Sequence, residues 1–428
     1  MNSNVPEKAY SANYVRYAVG MLVAVYVCNF ADRQILSILM QPIKIEMQLS
    51  DTELGLLSGL AFAIFYSVMG LPIGWLADKY SRVNILTICL TLWSAMTVLS
   101  GLAANFTQLF TARLFVGVGE AGGNPPSHSL ISDYVPALSR STALGIFALS
   151  APVGLLVGFL LGGWIEQYYG WRAAFFALGA PGLVLAVILK LSLPEPPRGN
   201  ADGSRKAGAV TPSMMAVLRH LWRIPSFRQF ALGGSLAAFG IFSIFQWMPS
   251  FLARSYHMQS GEIGTWLALV IGVSGAAGSF AGGYLADRLS KRDMRWQMWV
   301  PAIGVLLAAP FCFAVFLAGA PMLSIGLLAT PIMLVYFFLG PSFALTQTLS
   351  PQRMRAMASA VLLTLYNFIG LGIGPTVVGI VSDWLTPVYG DESLRYAMLL
   401  PSSILIWGAY HLMRAGRTLR EDLQIAAG

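Results

Sequence analysis

Twelve apolar stretches of helix length follow one another along this chain, at roughly 14–40, 53–77, 84–103, 107–133, 140–164, 172–191, 228–253, 262–286, 297–318, 321–348, 356–382 and 393–413. Each reaches the about 20 residues that a helix needs to cross the hydrocarbon layer of a bilayer. Within lipid every backbone N–H and C=O has to be paired inside the structure, so the pattern predicts helices and little else. Of the 428 residues, 56% are hydrophobic and 11% charged, against roughly 25% charged in a soluble domain. The expected fold class is therefore an all-α polytopic membrane protein with twelve transmembrane helices. The polar start, MNSNVPEKAY, lacks a basic-then-apolar-then-small pattern, so the first helix is expected to stay in place as an anchor. Cys28, Cys89 and Cys312 all fall inside spans and read as apolar filler. No metal and no cofactor is expected.

With the N-terminus inside, one set of loops collects Lys8, Arg16, Lys79, Arg82, Arg140, the Lys190–Arg228 group, Arg288, Lys291, Arg292, Arg295, Arg353, Arg355 and Arg414–Arg420. The other set holds only Lys44, Arg172, Arg254 and Arg395. This bias predicts cytoplasmic termini and a multi-pass protein of the plasma membrane, or of the inner membrane if bacterial. The net charge of +8 then serves topology and lipid headgroups. Scattered over short loops, it does not suit nucleic acid.

Between spans six and seven runs PEPPRGNADGSRKAGAVTPS, polar, basic and rich in Pro and Gly. It divides the chain into a six-helix bundle at 1–193, a cytoplasmic linker at 194–225 and a second bundle at 226–428. The halves repeat. Glu53-Leu54-Gly55 recurs as Glu262-Ile263-Gly264, and Gly74-Trp-Leu-Ala-Asp78-Lys79 as Gly283-Tyr-Leu-Ala-Asp287-Arg288, at one common shift. Such duplication is how secondary transporters build a site at mid-membrane. The segment Gly74 to Arg82 resembles the loop signature between helices two and three of the major facilitator superfamily, whose fold is two pseudo-symmetric six-helix bundles. Asp78 ends helix two, where the helix dipole disfavours an anion, so it needs a cationic partner or an opposed helix N-terminus. The resemblance implies helix eleven near Arg355 as that partner, and helix five near Ser141 for Asp287: a latch on the cytoplasmic side, with Asp133 pairing Arg82. A plain turn cap explains one copy but not two. Pro152, Gly154, Gly158 and Gly162 in helix five resemble the Gly-Pro motif of the superfamily's antiporters, with Ala151 replacing its first glycine. Close helix packing through small residues is the simpler reading of the same stripe.

Four charges lie inside spans: Asp32 and Arg33 in the first, Arg113 and Glu120 in the fourth. Each costs about 2.5–3.5 kcal/mol at mid-bilayer depth, so each should face a protein interior or an aqueous cavity. Arg113 and Glu120 are about 700° apart on a helix, within roughly 20° of one face, and Asn124 continues the stripe. The second half does not repeat these charges. Two acids and two guanidiniums can trade partners as one acid takes a proton, which makes Asp32 and Glu120 the proton-coupling candidates. A static ion-pair network is the alternative. Arg33, Arg113, Asn124 and His128 are candidates for holding substrate or charge. Glycines and prolines at 117–126 predict a break in helix four beside the charges. Ser127-His128-Ser129 with Asp133 could suggest a hydrolase, but no nucleophile elbow accompanies it.

Asn29-Phe30-Ala31-Asp32-Arg33, Arg113 with Gly117-Val-Gly119-Glu120-Ala121, and Ser81-Arg82 together resemble the Spinster-like branch of the superfamily. That resemblance implies proton-linked or facilitated movement of a lysophospholipid or sphingoid-phosphate-like amphiphile; Asn124-Pro125-Pro126-Ser127-His128 departs from the eukaryotic pattern. An aromatic second half would suit a hydrocarbon tail, with Phe242, Gln246, Trp247, Tyr336, Tyr366 and Asn367 as cavity candidates. The expected protein is a monomeric, non-enzymatic secondary transporter working by alternating access, moving an amphiphile outward against protons. Its rivals are the same machine carrying a drug-like or small organic anion, and a non-transporting receptor on the same fold. No P-loop is present, so ATP is not the direct driver.

Overall fold

Lipid offers the backbone no hydrogen-bond partner, and the chain meets that constraint with helix almost throughout. The computed structural model describes residues 10–198 and 213–427, and among these there is no strand. The expectations for the first nine residues and for 199–212 of the linker lie outside the described residues.

The first predicted span is α1 (Ala12–Met47), and the second is α2 (Asp51–Ser58) running through Gly59 into α3 (Leu60–Lys79). The third is α4 (Arg82–Ser100), and the fourth is broken into α5 (Phe106–Glu120) and α6 (Asn124–Tyr134). Spans five and six are α7 (Ala137–Ala148) and α8 (Ser150–Ser192), with the turn between them inside α8 at Gly170, whose φ of +81° favours glycine. A short helix the sequence reading did not anticipate, α9 (Met214–Arg223), ends the linker. Spans seven to nine are α10 (Pro225–Tyr256), α11 (Ser260–Ser290) and α12 (Trp296–Leu317). The tenth is α13 (Pro321–Val335), a 3-10 turn at Tyr336–Phe338, and α14 (Leu339–Thr348). The eleventh is α15 (Arg355–Leu365), a π-helical stretch at Tyr366–Ile373, and α16 (Gly374–Tyr389); α17 (Ser393–Ala397) and α18 (Leu399–Ala427) complete the twelfth.

Packing groups the described residues into two units, one of 10–39 with 64–198, the other of 40–63 with 213–427. In the first, the small-residue stripe of α8 lies on α1. A Cβ on Gly154 would stand 2.5 Å from the Phe30 Cβ, and one on Gly158 2.9 Å from the Ala31 carbonyl. In the second unit the same device recurs between helix eleven and α10, where a Cβ on Gly374 would stand 3.0 Å from the Phe239 carbonyl. Small residues let backbones meet where lipid supplies no hydrophobic drive. The repeated Glu-x-Gly motif begins a helix each time. Ser50 and Glu53 form a reciprocal capping box at α2, and Glu262 occupies the first turn of α11.

Candidate functional site

The stripe of α8 fixes the path of α1 past Phe30 and Ala31, and the next two residues are the charged pair. Asp32 is fully buried, as are Arg113 and Glu120 to within 1%. Arg33 donates from Nε and Nη2 to the same Glu120 oxygen, Oε2, at 3.0 and 2.8 Å. Its guanidinium lies over two rings, 5.1 Å from the Phe30 centroid and 4.7 Å from that of Tyr66. Arg113 donates from Nη1 to the main-chain carbonyl of Asp32, 3.3 Å away. The Asp32 carboxyl has no fully formed hydrogen bond, since the neighbouring Thr97 hydroxyl donates to the Trp93 carbonyl at 3.0 Å. One acid is thus ion-paired and the other, one helix away, is not.

Helix four breaks beside this cluster. After Glu120 the amides of Gly122 and Gly123 reach back only three residues, to Gly119 and Glu120, both at 3.0 Å, and α6 restarts with prolines in its first turn. The glycines serve close approach: a Cβ on Gly122 would fall 2.2 Å from the Cys89 Sγ of α4. Asn124 is half-buried at the start of α6. His128 is exposed and stands edge-on to Phe147, 5.2 Å between centroids. Ser127 donates to the Gly123 carbonyl at 2.6 Å, and Asp133 pairs with Arg82, so the Ser-His-Asp elements are committed elsewhere.

At the helix two–three loop, Arg82 is buried and joins Asp133 to Glu195, donating from Nε at 2.7 Å to the latter. Glu195 also accepts from the Ser81 hydroxyl and the Val83 amide, both at 2.9 Å, while Arg82 Nη2 reaches the Pro196 carbonyl at 2.8 Å and Arg198 the Ala77 carbonyl at 2.7 Å. Burial works against an ionised Glu195, but the Val83 amide and Arg82 more than offset it and hold the carboxyl below the usual range. The beginning of the linker is therefore stitched to the motif loop. Gly74 leaves open space, Lys79 lies 3.9 Å over the Trp75 ring, and Asp78 is exposed. In the second copy Asp287 is exposed too, accepting from Gln297 at 3.0 Å, and Arg288 donates to the Tyr284 hydroxyl.

In the second unit a cavity of about 60 Å³ is lined by Phe242, Tyr336, Phe338, Tyr366 and Asn367. Its walls include the two places where helices ten and eleven depart from α-geometry. Irregular turns of that kind frequently mark functional positions. Gln246 and Trp247 lie outside this lining: Gln246 donates to the Met40 Sδ, and Trp247 to the Pro375 carbonyl at 2.9 Å. The same unit holds a buried polar knot. Asp51 accepts from Lys44, from Arg254 through both oxygens at 2.6 and 2.7 Å, and from Ser382 at 2.6 Å. Asp383 caps the start of α2, accepting from the amides of Asp51 and Thr52 at 2.9 and 2.7 Å.

Sequence reasoning missed Tyr66, Glu195 and the Asp51–Arg254–Asp383 knot. Tyr66 carried no signal, being one aromatic in an apolar span. The others join residues more than a hundred positions apart, and only a charge set against a span boundary hinted at them.

The sequence model of the Major Facilitator Superfamily matches residues 22–407. An MFS-type efflux pump of Mycolicibacterium smegmatis is 34% identical, over 95% of this chain and 94% of its own. A cis,cis-muconate transport protein of Acinetobacter baylyi is 29% identical over 61% of this chain and 64% of its own. Among solved structures, a bacterial homologue of the human lysosomal transporter Spinster, in an inward-facing and unoccupied conformation, superposes with a TM-score of 0.87 at 30% identity, covering 96% of this chain and 99% of that one.

Proposed function

The chain belongs to the Major Facilitator Superfamily and is a multi-pass membrane transporter, and from that premise we propose that it works by alternating access coupled to protons, with Asp32 and Glu120 as the acids that take and release them. The observation that carries this reading is the pairing of Arg33 with Glu120 beside an Asp32 carboxyl that lacks a full partner. A buried acid of that kind either holds a proton or recruits a cation, and a guanidinium lies within the same cluster to be exchanged. We infer an amphiphilic substrate, lysophospholipid- or sphingoid-phosphate-like. Planar guanidinium forks suit a phosphate, and the aromatic cavity, far below the roughly 300–1,000 Å³ of a complete ligand site, suits part of a tail. Outward movement in exchange for protons agrees with the efflux relative and with the Pro152–Gly162 stripe. The basic loops favour cytoplasmic termini in the plasma membrane; we read the chain as bundles at 1–193 and 226–428 joined by the linker, and as a monomer. Asp78, with Asp287 as its counterpart, is read as the cytoplasmic latch.

Reconstituted vesicles under an imposed pH gradient test the coupling. Asp32→Asn and Glu120→Gln should each abolish gradient-driven transport while inserting normally, and wild-type pH dependence in both would overturn the assignment. The second reading, a small organic anion held by Arg33 and Arg113, is favoured by the muconate-transporting relative. Vesicles that exchange hydrophilic dicarboxylates but never a labelled lysolipid would establish it instead.

A further inference from the structure

Helix α9 has two faces, and only one of them is covered. Val217 and Leu221 are at most 1% exposed, packed toward α10 and α15, and the His220 Nε2 is hydrogen-bonded with the Leu349 carbonyl at 3.2 Å. On the opposite face Met215 and Trp222 are each 63% exposed and Leu218 is 38% exposed. At 100° per residue these three fall within about 60° of one another, and Arg219 and Arg223 follow on the same side at about 40° and 80° from Met215. The helix MMAVLRHLWR contains no acid. A helix whose outer face met water would be polar there.

Its position says what meets that face. One extended residue, Ile224, separates α9 from Pro225, where α10 begins. At 1.5 Å per residue the 32 residues of α10 extend about 48 Å, enough to cross the bilayer with its headgroups. The first turn of α10 therefore lies at headgroup level, and α9 lies beside it. From this geometry we propose that α9 is an interfacial helix that seats Met215, Leu218 and Trp222 at the acyl boundary and binds anionic phospholipid headgroups through Arg219 and Arg223. Tryptophan favours that depth, and arginines close to the surface attract acidic lipids. Exposed Arg228, in the first turn of α10, and Arg355, the first residue of α15, enlarge the basic surface. The proposal is independent of what the protein carries.

The test uses the full chain in vesicles of phosphatidylcholine, alone or with phosphatidylglycerol. A spin label at Trp222→Cys, with the native cysteines replaced, should be reached more readily by oxygen than by a water-soluble nickel complex. The paired change Arg219→Gln with Arg223→Gln, leaving Trp222 in place, should lower the phosphatidylglycerol retained on the purified protein on the order of tenfold. The corresponding Lys pair should retain it, since headgroup attraction needs charge and not a fork. A label preferentially reached by nickel, or lipid retention unchanged in the Gln pair, overturns the proposal. So does a label that becomes immobilised only as protein density rises, because the face would then belong to a second copy of the chain.

Discussion

Arg33 shows how much of the charged cluster depends on shape as well as charge. Its guanidinium lies over Phe30 and Tyr66 while Nε and Nη2 address one Glu120 oxygen. Lysine keeps the charge but has neither the plane nor the fork. Arg33→Lys is therefore expected to insert and fold, with the pH dependence of transport displaced. Arg33→Gln leaves Glu120 buried beside a neutral group, a loss on the order of 3–5 kcal/mol, and should sharply reduce folded yield. Equal thermal melting of Arg33→Gln and wild type would refute that ordering. Glu195 gives a pH prediction with a definite sign. Its folded-state carboxyl is held below the ordinary glutamate value, so its contribution is present above that value and is lost as pH falls through the lower, folded one. Glu195 is about a third exposed, which limits Glu195→Gln to about 1 kcal/mol near neutrality. The melting difference from wild type should vanish in acid, and a difference that grew on acidification would contradict the mechanism.

Among elements, the spans were legible in the sequence because a bilayer permits so few solutions, and span limits read from hydropathy alone lie within a few residues of most helix ends. The break in helix four was legible too, since the glycines and prolines between Gly117 and Pro126 weaken a helix there, and it falls at 121–123, between α5 and α6. The 3-10 turn at Tyr336–Phe338 and the π-helical stretch at Tyr366–Ile373 were not, because hydropathy marks a span without setting its helical pitch, which packing decides. Nor was the clasp on α2. Asp51 joins Lys44, Arg254 and Ser382, and the α2–α16 contact is so close that a Cβ on Gly379 would stand 2.2 Å from the Asp51 carbonyl. Arg254→Gln should weaken this clasp by about 3 kcal/mol, and Gly379→Ala should force the two helices apart. Hydrogen exchange at the Asp51 and Thr52 amides, which Asp383 caps, reports both changes. Amides that stay as protected as in wild type would show that the clasp contributes nothing.

For the whole molecule, the two halves share a repeated motif frame, and the proposed function rests on where they differ. Both halves keep the Asp78 and Asp287 motifs, yet among the described residues only the first has an arginine, Arg82, that binds the linker through Glu195, and only the first carries charges deep within its apolar spans. The two acids are exposed near the ends of equivalent helices, the place where the helix dipole disfavours an anion most, and the proposed latch supplies each with a partner in the closed state. Asp78→Asn should therefore destabilise the form closed on the motif-loop side by on the order of 1 kcal/mol, about fivefold in population. Asp287→Asn should act in the same direction. If each half latches independently, the double substitution adds the two effects; if one latch depends on the other, it falls short of the sum. Spin labels placed on the two motif loops, at positions next to Lys79 and Arg288, read the populations directly. Distance distributions that are unchanged in both single variants would remove the latch role from these acids and leave them as exposed caps.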